Sequence, residues 1–126
     1  VKLFDLLHRD GMNMDHVTMS SDAFGSQPRF NAEGECVGLT YASPKYLHKT
    51  IQILVRMGMP FEQALKLLTT TPAVLLGKEG KKGCVAAGAD ADLLILDENL
   101  EIISLFARGK VALWEKELRM KGRFEE

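Results

Sequence analysis

The spacing of hydrophobic and polar positions changes along the chain. Before residue 77, apolar residues recur mainly every three or four positions, the spacing of helices that bury one face. After Gly83 they form short runs separated by charged or glycine-containing turns, namely "DLLILD", "EIISLFARG", "KVALWEK" and "ELRMKG". Runs of this kind predict short β-strands. We therefore predict a first part with several helices and a second part that is a β-meander.

The clearest predicted helix begins at Ser43 and Pro44, because serine is a favoured N-cap and proline a favoured first helical residue. Its apolar face consists of Tyr46, Leu47, Ile51, Leu54 and Val55. The segment "GMP", residues 58–60, ends this helix. Further helical segments are predicted over residues 2–9, about 61–70 and 69–77. Gly11 and Gly77 stand where two of them end.

Residues 15–22, "DHVTMSSD", alternate between polar and apolar side chains. Val17 and Met19 fall on one side. The polar side consists of His16, Thr18, Ser20 and Asp22. This alternation predicts a β-strand with one polar and one apolar face. Residues 23–41, rich in Gly, Ser, Pro and Asn, are predicted to form a long loop.

The position of Asp22 at the end of this predicted strand allows two interpretations. In an α/β barrel the polar side would face the interior, and Asp22 would lie at the catalytic end. A carboxylate there can hold a divalent cation or accept a proton from a metal-activated water. Alternatively, Asp22 accepts hydrogen bonds from backbone N–H groups and caps the loop. Spacing alone favours the capping role.

Composition and charge narrow the classes of partner. The 126 residues suit one domain of ordinary size. They include 16 basic and 17 acidic residues without a run of like charge, so we predict neither a nucleic-acid nor a membrane partner. Cys36 and Cys84 are far apart in sequence, which favours reduced thiols in a cytoplasmic protein. Because the chain begins at Val1 within an amphipathic pattern, we expect it to be a piece of a longer protein.

The run "TTTPAVLLGKEGKKGCVAAGADADLLILD" resembles the signature of the amidohydrolase superfamily. In that signature a T-x-x-P-A-x-x-L-G element precedes G-x-x-x-x-G-x-D-A-D-L. The matching residues are Thr69, Pro72, Ala73, Leu76 and Gly77, then Gly83, Gly88, Asp90, Ala91, Asp92 and Leu93. A composite match of this length is more specific than a lone glycine pattern. We expect Asp90 and Asp92 to have turn and capping roles rather than catalytic ones.

Within the superfamily, the chain most resembles bacterial isoaspartyl (β-aspartyl) dipeptidases. Their eighth barrel strand ends in a motif similar to "SSD", residues 20–22, followed by one similar to "GSQP", residues 25–28. The "YLHKTIQILV" helix and the "LFARGK" strand end are also similar. One departure lies beside Asp22, where the family often has glycine and this chain has Ala23 and Phe24.

The resemblance implies an α/β fold that is the C-terminal fragment of a (β/α)8 metal-dependent hydrolase barrel plus strands of a small β-sandwich. Residues 1–76 would supply the last barrel strand and its helices, and residues 77–126 the C-terminal sandwich strands. A single barrel strand exposes unpaired N–H and C=O groups. We therefore expect this segment to require the remainder of its own chain or to self-associate as a homo-oligomer, and the sequence does not predict the oligomeric state of the parent protein.

The resemblance also implies a mechanism. Such enzymes hold two zinc ions, and a bridging hydroxide attacks the isopeptide carbonyl of a small dipeptide. Asp22 would be the general base, and it could also be a metal ligand. Ser26 would hydrogen-bond the substrate, with loop capping as its alternative role. The family's remaining ligands, histidines and a carbamylated lysine, would lie upstream, so we expect this segment alone to be inactive.

The three histidines do not replace the missing ligands. His8, His16 and His48 show no H-x-H or i, i+4 spacing, and we expect structural or surface roles for them. Two alternatives to the dipeptidase remain. One is another amidohydrolase, of the dihydroorotase or N-acyl amino acid deacylase type, and the other is a non-catalytic scaffold domain. The sequence does not predict which residue follows the isoaspartyl unit in a substrate.

Overall fold

The computed structural model describes residues 2, 6 and 9–121, and these residues form two compact units. The first unit comprises residues 1–68 and the second residues 69–126. The sequence analysis placed a boundary between residues 76 and 77, and its assignment of the two parts to a barrel and a sandwich stays a prediction. No helix among the described residues combines the length and the apolar character needed to span a membrane.

The first unit joins a short 3-10 turn, a hairpin and two helices. Its elements are the turn Met14–His16, strands β1 (Ser26–Phe30) and β2 (Cys36–Tyr41), and helices α1 (Lys45–Arg56) and α2 (Phe61–Lys66). Six buried residues form its core, namely Met14, Ile51, Leu54, Met59, Ala64 and Leu67. Val17 and Met19 pack against this core, so the predicted apolar side of residues 15–22 does face the helices.

The segment 15–22 itself is not a β-strand, and the prediction was wrong on this point. Residues 14–16 form the 3-10 turn, and the backbone beyond it is extended at Val17, with φ −105° and ψ 133°. Met19 N donates to the carbonyl of Leu67 at 3.1 Å rather than to a neighbouring strand. A β-ladder needs a second strand, and no strand in the described part of the chain pairs with this segment. The alternation of polar and apolar residues does correspond to two different sides of the segment, with Val17 and Met19 packed against the core.

Residues 23–41 were predicted to be a loop, but most of them form the antiparallel hairpin of β1 and β2. Asn31 organises the turn, since its side-chain oxygen accepts from Glu33 N at 3.1 Å and Glu35 N at 2.8 Å. Composition misled the prediction here because Gly38 and Pro28 lie within the strands. The turn signal, an Asn followed three residues later by Gly34, was present in the sequence.

The predicted helices are present with shifted bounds. Helix α1 follows Pro44, and no side chain caps its N-terminus, so the predicted Ser43 cap was wrong. The helix predicted over about 61–70 ends at Lys66, and a separate helix, α3 (Thr70–Leu75), follows in the second unit. The prediction for residues 2–9 falls largely outside the described residues.

The predicted β-meander is confirmed. Strands β3 (Leu93–Leu96), β4 (Ile102–Ala107), β5 (Lys110–Trp114) and β6 (Glu117–Leu118) form one antiparallel sheet in chain order. Phe106 and Trp114 pack edge to face, with ring centroids 6.1 Å apart and an interplanar angle of 86°. These two side chains therefore serve packing within the sheet. The chain is thus a mixed α/β structure with two sheets and a few helices, which is consistent with the predicted fold class of a barrel fragment plus sheet strands.

Candidate active site

Asp22 lies at a four-residue turn where the extended segment meets the hairpin. Its carbonyl accepts from Gly25 N at 2.9 Å and closes the turn. Its backbone has φ 48°, in the left-handed region, which aspartate tolerates better than most residues do. Its own N–H donates to Ser20 Oγ at 3.3 Å. The chain therefore reverses at Asp22 and presents an exposed carboxyl group.

The carboxylate of Asp22 accepts no hydrogen bond from the described residues, so the structure gives no support to the capping interpretation. Three other Asn or Asp side chains show what capping looks like in this chain. Asn13 accepts from Asp15 N at 2.9 Å, Asn31 accepts two backbone bonds as described above, and Asp97 accepts from Asn99 N at 2.9 Å and Glu101 N at 2.8 Å. Asp22 thus has its acceptor positions available for a ligand or a water molecule.

Two backbone hydrogen bonds fasten this turn to the end of the hairpin. Phe24 N donates to the carbonyl of Ala42 at 2.9 Å, and Ala42 N donates to the carbonyl of Gly25 at 3.1 Å. Ala42 is itself buried, and helix α1 begins three residues later. Among the described residues, the end of the hairpin therefore holds the loop that carries Asp22.

Ser26 opens strand β1 and pairs with Tyr41 of β2. It is exposed, and its hydroxyl makes no hydrogen bond to any described residue. A hydroxyl without a partner in the described chain is able to bind a polar group of a substrate. Asp22 and Ser26 thus lie on one continuous turn and strand, but their roles stay predictions.

A cavity of about 540 Å³ adjoins this turn within the first unit. It is lined by the extended segment, the hairpin and the first turns of α1, and it includes Ser21 and Gln27, the neighbours of Asp22 and Ser26. Hydroxyl groups dominate its polar lining, which consists of Thr18, Ser20, Ser21, Thr40, Tyr41, Ser43, Tyr46 and Thr50 together with Gln27. None of the described residues that line it is charged. Such a lining suits a neutral polar part of a ligand.

Sequence analysis missed this lining because it treated residues 23–41 as a loop. Gln27 and Thr40 are paired across the two strands, which brings both to the same face of the hairpin. Helix α1 then adds Tyr46 and Thr50 at i, i+4 spacing. The hairpin turn at Asn31 was the available signal for this arrangement.

The described residues do not by themselves fit a metal ion. They contain no group of three or more His, Cys, Asp or Glu side chains able to hold one, whereas a zinc site takes three or four protein ligands. His16 is exposed in the 3-10 turn, at the other end of the extended segment from Asp22. His8 lies outside the described residues. Asp22 could contribute one ligand only if others come from outside this chain.

Comparison with known proteins identifies the family. The sequence profile described as "Amidohydrolase family" matches residues 2–120. Because this match covers nearly the whole chain, the protein belongs to the amidohydrolase family. The signature of residues 69–93 and the mixed α/β structure agree with that membership.

A solved structure resembles almost all of the chain. It is the beta-aspartyl dipeptidase of Fervidobacterium islandicum AW-1 in complex with a beta-Asp-Leu dipeptide, with a TM-score of 0.76 and 32% identity. The likeness covers 94% of this chain and 31% of that one. This likeness supports the fold.

Sequence comparison also finds a different activity among the relatives. The N-acetylglucosamine-6-phosphate deacetylase of Bos taurus is 38% identical over 60 residues, which is 48% of this chain and 14% of that protein. The Caenorhabditis elegans deacetylase is 27% identical over 106 residues, or 84% of this chain and 23% of that protein. The chain thus spans less than a quarter of the length of these curated relatives. Sequence analysis did not consider this deacetylase.

Proposed function

We propose that the whole protein is a metal-dependent hydrolase of isoaspartyl (β-aspartyl) dipeptides. The observation that supports this most directly is the exposed Asp22 carboxylate, which receives no hydrogen bond from the described residues and stands beside a hydroxyl-lined cavity. The likeness of 94% of the chain to a beta-aspartyl dipeptidase supports the substrate class. An uncapped carboxylate next to a cavity is what a general base requires.

In the proposed reaction, Asp22 acts on the water molecule that attacks the isopeptide carbonyl. It accepts the proton as the new C–O bond forms, and it returns that proton to the leaving amine as the C–N bond breaks. Asp22 is therefore unchanged after each turnover. Ser26 would donate a hydrogen bond to a polar group of the substrate from the start of β1 and help to fix the orientation of the carbonyl.

We also propose that the enzyme uses zinc, as two ions, with the other ligands supplied by parts of the protein outside this chain. When bound, the metal would supply Lewis acidity toward the substrate carbonyl. Asp22 is the candidate ligand here, and the described residues form no complete site. The chain alone should accordingly be inactive, and treating the whole enzyme with a chelator should abolish hydrolysis.

Deacetylation of N-acetylglucosamine 6-phosphate is the second candidate function, because the sequence relatives carry that name. Both reactions hydrolyse an amide bond, so the same base would serve either one. Among the described residues, no lysine or arginine lines the cavity to receive either the phosphate of the sugar or the carboxylates of the dipeptide, so the lining does not separate the two candidates. No observation favours a dihydroorotase, an N-acyl amino acid deacylase or a scaffold domain.

We further propose a cytoplasmic location and a homo-oligomeric assembly. Cys36 and Cys84 are both unpaired, which suits a reducing compartment. Phe30, Leu39 and Tyr41 are each more than half exposed on the hairpin. Apolar exposure of this kind is usually covered by further protein, which here would be the rest of the chain or a second copy.

The test is hydrolysis by the full-length protein with β-Asp-Leu and N-acetylglucosamine 6-phosphate as separate substrates. We expect turnover of β-Asp-Leu, loss of activity on chelation and recovery with zinc. Asp22→Asn should lower kcat by about 100-fold or more, because the amide cannot accept the proton. Asp10→Asn, which changes an exposed carboxylate elsewhere in the first unit, is the control and should leave kcat unchanged.

Two results would contradict the proposal. Turnover of the sugar phosphate without turnover of β-Asp-Leu would replace the dipeptidase with the deacetylase. Full activity of Asp22→Asn on either substrate would remove Asp22 from the mechanism.

A further inference from the structure

Gly25 closes the turn that carries Asp22 and lies directly against that side chain. An ideal Cβ placed on Gly25 would stand 2.6 Å from Asp22 Oδ2, 2.8 Å from Asp22 Cγ and 2.9 Å from the Asp22 carbonyl oxygen. Real Cβ atoms essentially never approach other heavy atoms below 3.0 Å. The space above Gly25 is therefore occupied by the Asp22 carboxylate.

The backbone of Gly25 has little freedom to relieve such a contact. Its N–H donates to the Asp22 carbonyl at 2.9 Å, and its carbonyl accepts from Ala42 N at 3.1 Å. Any side chain at position 25 would thus have to displace the Asp22 carboxylate or break the turn. Gly25 is not among the glycines with positive φ, so alanine is compatible with its backbone conformation. Position 25 therefore requires glycine because there is no room for a side chain, and not because its backbone has a positive φ.

We propose that Gly25 is a positioning residue for Asp22: because Gly25 has no side chain, the carboxylate of Asp22 can occupy the space above the turn, where it can act. The catalytic consequence of this role rests on the proposed function, whereas the contact itself does not. A carboxylate moved by about 1 Å from its productive position can lose about 100-fold in rate. Gly25 therefore acts through Asp22 and touches no substrate.

The kinetic test uses Gly25→Ala in the full-length protein with β-Asp-Leu. We expect kcat to fall by about 10- to 100-fold while KM changes by less than about twofold. The double variant Asp22→Asn/Gly25→Ala should be no slower than Asp22→Asn, because both changes remove the action of one carboxylate. An unchanged kcat in Gly25→Ala, or further slowing in the double variant, would overturn the proposal.

Gly34→Ala is the matched control. Gly34 lies in the hairpin turn at φ +84°, and a Cβ there meets no heavy atom within 4 Å. This substitution adds the same methyl group and strains the backbone, yet it touches neither Asp22 nor the cavity. It should lower the melting temperature and leave kcat unchanged. An equal loss of kcat in Gly34→Ala would mean that general destabilisation of the hairpin explains the result, which would overturn the proposal.

A second measurement tests the contact without any activity. We expect Gly25→Ala to lower the melting temperature less in an Asp22→Ala background, because the Cγ and Oδ2 atoms are then absent. If Gly25→Ala alone fails to fold, folding of Asp22→Ala/Gly25→Ala supports the proposal. Equal losses in both backgrounds, or failure of both proteins to fold, would show that the new Cβ clashes with the backbone alone. Either result would overturn the proposal. Because this cycle needs no substrate, it separates failure of the positioning role from failure of the proposed dipeptidase.

Discussion

At the scale of single residues, the turn after the extended segment places two non-glycine residues in the left-handed region. Asp22 has φ 48° and Phe24 has φ 64°. Aspartate visits this region with modest cost, whereas a bulky aromatic residue is a marked exception. Phe24 is also 78% exposed, so little packing compensates within the described structure. Local strain of this kind is often found beside functional groups, and here it lies two residues from the candidate base.

Replacing Phe24 with asparagine should stabilise the fold. Asparagine tolerates the left-handed region, so we expect a gain of about 1 kcal/mol in the free energy of unfolding. Urea unfolding of the full-length protein would measure the gain. Phe30→Asn is the matched control, because Phe30 is also exposed but lies in β1 and outside the left-handed region, and no gain is expected there. A loss of stability in Phe24→Asn would show that Phe24 packs against a part of the protein outside this chain.

Asp22 and Gly25 differ in how far sequence could predict them. Alternation along residues 15–22 predicted a strand that ends at Asp22; the structure has no strand there, but Asp22 does lie at the turn that leads into the hairpin. The contact between Gly25 and the carboxylate depends on the conformation of a four-residue turn, which no periodicity encodes. A glycine in a "GSQP" motif predicts a turn, but not which side chain fills the space above it.

At the scale of elements, Gly83 of the signature lies in the loop after α3 and packs against the residues at the start of that helix. A Cβ on Gly83 would overlap the carbonyl of Thr69 and stand 2.9 Å from Thr70 N. The hydroxyl of Thr70 donates to the carbonyl of Gly83 at 3.1 Å. The two halves of the signature are thus in direct contact, and glycine is needed where the two backbones meet.

Because of this contact, we predict that two glycines with the same φ differ strongly in the stability lost when each is replaced by alanine. Gly83 and Gly80 both have φ +70°, but a Cβ on Gly80 meets no heavy atom within 4 Å. Gly80→Ala should cost about 1 kcal/mol, from left-handed strain alone. Gly83→Ala should cost about 2 kcal/mol more, because overlap with backbone is added. Thermal unfolding of the two variants measures both effects, and equal losses would contradict the assigned contact.

The signature aspartates form a polar cluster at the base of the meander. Asp92 Oδ1 accepts from Arg108 N at 2.7 Å, and Lys82 Nζ pairs with Asp90 at 2.9 Å and with Asp92. The hydrogen bond from Lys82 and that from Arg108 N lower the pKa of Asp92 below its ordinary value of 3.8. Asp92 accepts a backbone N–H, as a capping role requires, whereas the side chain of Asp90 pairs with Lys82.

This cluster predicts an acid-sensitive second unit. A carboxyl group whose pKa is lowered on folding adds stability at pH values above its unfolded pKa. That stability is lost as the pH falls from about 4 through the lowered pKa of the folded state. Asp92→Asn should therefore make stability less dependent on pH between about pH 6 and about pH 3. Melting temperatures across that range test this, with Glu98→Gln, an exposed turn residue, as the control.

A pH dependence as steep in Asp92→Asn as in the unmodified protein would show that other carboxyl groups are responsible.

At alkaline pH the change of stability with pH has the opposite sign. The pKa of Lys82 is raised above 10.5 by its hydrogen bonds to Asp92 and Asp90. Its contribution is therefore present below that value and is lost as the pH rises through the raised pKa.

The elements differ in how well local pattern predicted them. Each strand of the meander pairs with its neighbour in sequence, so local apolar runs and turns sufficed. Residues 15–22 show the same local alternation, yet whether they join a ladder depends on strands distant in sequence. In the hairpin, composition rich in turn-forming residues concealed a register that pairs Pro28 with Leu39.

At the scale of the whole molecule, the chain covers 31% of the beta-aspartyl dipeptidase that it resembles. The described core is correspondingly small, with Leu54 and Leu67 as its largest fully buried side chains. The match over residues 2–120 shows the family, whereas the proposed substrate and metal also involve parts of the protein outside this chain. This explains why two activities occur among the relatives of one short segment.

The sequence by itself determined the family signature, the helix after Pro44, the order of the meander strands and the placement of Asp22 at the end of an extended segment. These features depend on short-range spacing and on residue types with fixed conformational preferences. Only the tertiary structure decided that residues 15–22 join no β-ladder within the described part of the chain, that the following loop is a hairpin, and that Asp22 fills the space above Gly25. Each of these depends on which surfaces meet across the chain, and that choice is made by packing and hydrogen-bond partners that local pattern does not encode.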